Sequence, residues 1–175
     1  MEKTPMRRLP LNFANLCASV AILVPTFGTA DIAVRFIEGA PKDRFVIENK
    51  TGCDVPMGQV IVDLSSSAAG LIFDTAAAGQ GVEVFQPLEI ISGAALLSET
   101  PTVADGDTGL TLPFTGFPAG AQIAFTIDVD DTLPAGQSGQ IIVRGGEFQG
   151  ASVAVAVGTA THRATFAENA RANVA

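Results

Sequence analysis

The chain has 175 residues, with 18 acidic against ten basic side chains, a formal charge of −8, and neither Trp nor Tyr. That acid excess weighs against a nucleic-acid or anionic-membrane partner, since either needs clustered Lys and Arg. The missing rings weigh against a stacking platform for carbohydrate and against an interface anchored by Trp or Tyr.

Residues 1–30 read as a secretory signal peptide. Lys3, Arg7 and Arg8 precede an apolar run over residues 14–27, and Gly28-Thr29-Ala30 offers small residues ahead of a cut before Asp31. A membrane anchor needs roughly 20 apolar residues, and this run is shorter and broken by Pro25. Leu16 in front of Cys17 speaks against lipidation, and Arg7-Arg8 is compatible with twin-arginine export. The expectation is an exported protein, periplasmic or extracellular, with no membrane span in its mature chain. Seven basic and seventeen acidic side chains then remain, a formal charge of about −10. Cys53 is the only thiol left; it cannot close an internal disulfide and is expected as a small buried hydrophobe.

From Asp31 onward, short alternating runs are separated by Gly, Pro, Asp and Ser. Residues 32–36, 44–48 and 60–64 read as strands, with Ile32, Val34 and Phe36, then Val60, Val62 and Leu64, turned inward. The turn after the second run contains Asn49-Lys-Thr51, a glycosylation sequon in a glycosylating host. Residues 71–74 form a short strand, followed by an Ala/Gly loop over residues 75–81. Residues 82–85 and 88–91 flank Pro87, which marks an edge or a bend, and residues 94–97 a helical turn. Residues 110–114 precede a turn and then the longest run, 121–131, read as the central strand. Its odd positions, Ala121, Ile123, Phe125, Ile127 and Val129, make an apolar face; Gln122, Ala124, Thr126, Asp128 and Asp130 make a wet one. Residues 140–144 and 151–157 are the last strands before a tail expected as a frayed helix or disorder over residues 167–175. About eight to ten short strands at even spacing predict an all-β fold, an antiparallel β-sandwich of Ig-like or jelly-roll-like type. The domain plan is a signal peptide (1–30), a β-sandwich domain (31–158) and a C-terminal strand or mobile tail (159–175).

Folding residues 110–114 back on residues 121–131 as a hairpin places Phe114 opposite Ala121, Leu112 opposite Ile123 and Leu110 opposite Phe125, all inward. The same register sets Asp107 opposite Asp128 and Asp105 opposite Asp130, with Asp131 adjacent. Like charges across a ladder are destabilising, and Ca²⁺, which takes six to eight oxygens from carboxylates, carbonyls and water, would answer them. Asp105, Asp107, Asp128, Asp130 and Asp131 are therefore the candidate metal ligands, with Ca²⁺ the candidate cofactor. The competing reading is a solvated acidic edge that blocks strand-on-strand aggregation.

Catalysis finds less support. His162 is the only histidine, and no Gly-x-Ser-x-Gly elbow or phosphate loop is present. Ser65-Ser-Ser67 has no evident base, and Cys53 no activating neighbour. Asp128 with Asp107 could be cast as a glycoside-hydrolysing pair, but such a pair should line a cleft with aromatic walls.

Four stretches carry a resemblance: Phe36-Ile-Glu-Gly-Ala-Pro-Lys-Asp-Arg-Phe45, residues 63–74, Gly81-Val-Glu-Val-Phe-Gln-Pro87 and Phe125-Thr-Ile-Asp-Val-Asp-Asp-Thr132. Together they resemble exported bacterial proteins labelled "aggregation factor core", a label borrowed from the sponge cell-aggregation factor. The resemblance implies a secreted β-protein in adhesion, with calcium dependence carried over from the sponge system. The expected function is thus a non-enzymatic exported interaction module in cell-surface adhesion or aggregation, Ca²⁺-stabilised, binding a protein, a surface glycan or itself. The alternatives are a self-assembling envelope subunit, joined through exposed edges or Cys53, and a hydrolase using paired aspartates.

Overall fold

The computed structural model describes residues 31–39, 42–82, 85–134 and 142–175. The expected signal peptide lies outside these residues, as do parts of the strands expected at 82–85 and 140–144. The described residues form eleven strands: β1 (Ile32–Ile37), β2 (Arg44–Asn49), β3 (Val55–Asp63), β4 (Ile72–Asp74), β5 (Glu89–Ser92), β6 (Gly109–Phe117), β7 (Gln122–Thr126), β8 (Asp128–Asp130), β9 (Ser152–Val157), β10 (Ala160–Thr165) and β11 (Arg171–Val174). Two 3₁₀ turns, Ala94–Leu96 and Gly145–Phe148, complete the regular structure.

Every strand pairing is antiparallel. One sheet runs β11-β1-β2-β7-β5, a second β10-β9-β3-β6, and β4 with β8 forms a two-stranded third. The alternation read from sequence explains how they close. Ile32, Val34 and Phe36 of β1, Phe45 and Ile47 of β2, and Ile123 and Phe125 of β7 face Val60 and Val62 of β3, Leu110, Leu112 and Phe114 of β6, and Val153 of β9 in one buried cluster. The expected all-β, antiparallel sandwich is what the chain forms.

Phenylalanine dominates the middle of that core. Phe45 stacks on Phe125 with centroids 5.0 Å apart, and Phe36, 5.1 Å from Phe45, lies 4.5 Å from Phe148. Phe148 in turn meets Phe166 at 5.2 Å. A phenyl ring carries no polar atom to satisfy, so these rings bury without partners, as Tyr or Trp could not.

Three expectations fail. The predicted frayed tail is ordered: β11 pairs with β1, setting Ala172 opposite Val34, and Ala172 and Val174 join the core. Cys53 is exposed and free, because it sits in the tight turn before β3, where its carbonyl accepts hydrogen bonds from Asn49 Nδ2 and Thr51 Oγ1. The third failure governs the candidate site. Residues 110–114 and 121–131 do not form a hairpin, since β6 pairs with β3 while β7 pairs with β2 and β5. The turn between them carries the chain across the core from one sheet to the other.

Candidate functional site

The run read as one central strand is two. At Ile127 the chain leaves the five-stranded sheet, and β8 pairs with β4 in the register Ile72↔Asp130, Phe73↔Val129, Asp74↔Asp128. Its apolar face is as predicted, with Ile123, Phe125, Ile127 and Val129 fully buried. Its other face is drier than predicted: Ala124, Thr126 and Asp130 are buried too, and Asp128 is half-buried.

This change of partner brings in an acid that the sequence reading missed. Asp74 ends β4 and is fully buried. The turn at residues 104–107 docks beside it, through Phe73 N–H to the Asp107 carbonyl and Gly106 N–H to the Phe73 carbonyl, both 2.9 Å. That docking sets Asp105 within hydrogen-bonding reach of Asp74, and Asp130 reaches Asp74 from β8. Asp105, Asp128 and Asp130 do come together, therefore, but around Asp74 rather than across the expected hairpin. Asp107 does not face Asp128; its carboxylate accepts the Ala104 N–H of its own turn at 2.8 Å. Asp131 accepts the Leu133 N–H with one oxygen at 2.8 Å and keeps the other buried without a partner.

The loop of residues 75–82 wraps over these acids and aims its amides at them. Asp105 accepts from Thr75 at 3.0 Å, Ala76 at 3.1 Å and Gln80 at 2.8 Å; Asp130 accepts from Val82 at 2.6 Å. Such close approach requires glycine. A side chain at Gly79 would collide with the Asp105 carboxylate, and one at Gly81 with Oδ2 of both Asp130 and Asp74. A legible signal for Asp74 was thus present: an acid at a strand end, followed by a loop with glycines at alternate positions.

The electrostatics are those of a crowded, dry site. Burial, followed by the hydrogen bond with Asp105, pushes Asp74 up to about 6. The Thr75 and Gln80 amides hold Asp105 below the usual carboxylate range, so of this pair Asp74 takes up a proton first as pH falls. Burial and then the Asp74 charge raise Asp128 to about 6; burial raises Asp130 to about 6, with Asp128 adding to it against the Val82 amide. Among the described residues the ion pairs are Lys42–Glu89 and Lys50–Glu48, so no Lys, Arg or His compensates these acids. Among the described residues, no group of three or more His, Cys, Asp or Glu is placed, as it stands, to hold a metal ion.

A second feature lies on the outer face of the five-stranded sheet. Arg35 of β1 stands directly across from Arg171 of β11, and Arg44 begins β2. All three are exposed and, among the described residues, none pairs with a carboxylate. Arg35 and Arg171 rim a depression of about 280 Å³ with Lys50, Glu48 and Asn173. The residues considered for catalysis stay apart: His162 is exposed on β10, and Ser65 Oγ donates to Asp63 at 2.6 Å. Among the described residues no helix is long and apolar enough to cross a membrane.

No family model, no curated protein and no solved structure matches the chain. The resemblance to "aggregation factor core" proteins rests on its sequence fragments alone.

Proposed function

We propose that this chain is a non-enzymatic, exported β-sandwich interaction module that recognises an anionic surface polymer through the outer face of its five-stranded sheet. One observation carries the reading. In a chain whose acids exceed its bases by eight, Arg35, Arg44 and Arg171 are exposed on one face and unpaired among the described residues. Arginine binds carboxylates and sulfates through a planar fork of donors, and opposing arginines on a ladder repel unless an anion lies between them. Recognition of this kind is ionic, so it does not need the Trp and Tyr the chain lacks. Export is supported by the signal-peptide pattern of residues 1–30, and adhesion by the resemblance.

The test is retention of the mature chain on an immobilised polyuronate, with neutral dextran as control. Retention at low salt that is lost in Arg35→Ala/Arg171→Ala, and lost by about 0.5 M NaCl as screening predicts, supports the reading. Equal retention on dextran, or none on either matrix, removes it. A second reading, self-assembly, is favoured by the exposed Cys53 and by Met57, which is 69% exposed. Sedimentation with and without reductant decides it; a monomer under both conditions excludes assembly through these residues.

A further inference from the structure

We propose that Asp74, Asp105 and Asp130 bind a hard divalent cation, Ca²⁺ in preference to Mg²⁺, beneath the loop of residues 75–82. The site is separate from the arginine face and does not depend on what that face binds.

An acidic cluster alone would say little, since charged rims are ordinary. Here Asp74 is fully buried, and its Oδ2 has no hydrogen-bond partner. That idle oxygen is aimed where Asp130 Oδ2 is aimed: both meet the space in which a Gly81 side chain would sit. A carboxylate oxygen inside a protein with nothing to accept from is costly, and carboxylates gathered without a cation compound the cost. A bound cation satisfies both demands at once.

The surroundings supply what a cation needs. Asp105 reaches Asp74 from the docked turn, and Asp128, across the ladder, adds charge without being required as a ligand. The amides of Thr75, Ala76, Gln80 and Val82 fix the carboxylates in place while leaving a lone pair on Asp105 Oδ2 and on Asp130 Oδ2. On its other side the loop borders a cavity of about 330 Å³ lined by Gln80, Gly81, Val82, Asp131, Thr132 and Leu133, which gives water and ion a route to Gly81. Loop carbonyls and water complete the shell. An irregular, oxygen-only set of this kind suits Ca²⁺, which tolerates variable number and geometry; Mg²⁺ demands a near-ideal octahedron and sheds its water reluctantly.

The experiment is calorimetry of the mature chain at about pH 7.5 with CaCl₂, MgCl₂ or NaCl at matched ionic strength, since ligand binding to the native state alone raises Tm by mass action. The expected result is a saturable rise in Tm with Ca²⁺, smaller with Mg²⁺ and absent with Na⁺, and a one-to-one isotherm. Loss of a ligand should weaken binding by at least about tenfold, so Asp74→Asn and Asp105→Asn should lose the rise while Asp107→Asn keeps it. Should Asp74→Asn fail to fold, Asp105→Asn carries the comparison, because Asp105 is the less buried acid. No rise beyond that in NaCl overturns the proposal. So does a rise that survives Asp105→Asn or vanishes equally in Asp107→Asn, for then the effect is diffuse screening.

Discussion

Asp74 stands directly opposite Asp128 across the β4–β8 ladder. Two carboxylates facing each other on neighbouring strands repel, and burial removes the water that would screen them. In chelator at neutral pH, Asp128→Asn should therefore stabilise the protein by roughly 0.5–1 kcal/mol. Chemical denaturation in EDTA would measure this, and a loss of stability would show that Asp128 holds a contact its charge does not explain.

The stability of the cation-free protein should fall as pH rises from about 4 to about 7, with Asp43 responsible for the last part of the fall. Burial pushes Asp43 up to about 7; the Gly39 amide opposes the rise, Asp128 adds to it, the Val129 amide opposes it, and Glu38 contributes least. The raised value means that the folded state keeps its proton where the unfolded chain has lost it. The associated stability is complete below the unfolded value near 4 and is gone above the folded one. Thermal melts in EDTA at about pH 6 and about pH 7.5 should differ, and the difference should shrink in Asp43→Asn. An identical difference in that variant would assign the effect elsewhere.

Gly81→Ala should be costly out of proportion to one methyl group. The added carbon would strike the Asp74 and Asp130 carboxylates, and overpacking of this kind costs about 1–3 kcal/mol. Urea denaturation would show the loss. Gly146→Ala, where an added carbon meets nothing within reach, serves as the control and should be close to neutral.

Asn49 should matter for stability and be closed to modification. Though it heads a sequon, it is fully buried; its Nδ2 donates to the Phe117 and Cys53 carbonyls at 2.7 and 2.9 Å, and its Oδ1 accepts from the Thr51 N–H at 3.0 Å. Asn49→Ala takes its side-chain donor from the buried Phe117 carbonyl and should cost about 1–3 kcal/mol. Expression in a glycosylating host followed by intact mass measurement should find no glycan on the folded protein.

Phe148→Ala should be the most damaging of these changes, at about 3–5 kcal/mol for a buried phenyl ring. The ring bridges Phe36 and Phe166, and so fastens the Gly145–Phe148 turn and the connection from β10 to β11 to the sandwich. A denaturation midpoint within error of the parent would mean that the ring is not packed as described.

The strands of the first half were legible because Ile32, Val34 and Phe36, like Val60 and Val62, alternate without exception and face one core. The pairing of residues 110–131 was not, and the reason is general. Leu110, Leu112 and Phe114 share a phase with Ile123 and Phe125, which satisfies two arrangements equally: side by side in one sheet, or face to face across a sandwich. Alternation says which way a side chain points and is silent about which strand lies next to it. Asp105, Asp128 and Asp130 were therefore recovered with the wrong neighbours, and Asp74 was passed over because its strand is only three residues long. Residues 159–175 were left open between a strand and a mobile tail for another reason. The β10 residues are nearly all exposed and carry little apolar signal, so their pairing depends on β9 rather than on their own pattern.

Ile127 is the single residue at which the chain passes from the ladder with β2 and β5 to the ladder with β4. A pull along the chain from β8 therefore reaches β7 through that residue, while the ring of Phe73, 6.3 Å from that of Phe45, ties the two ladders a second time through the core.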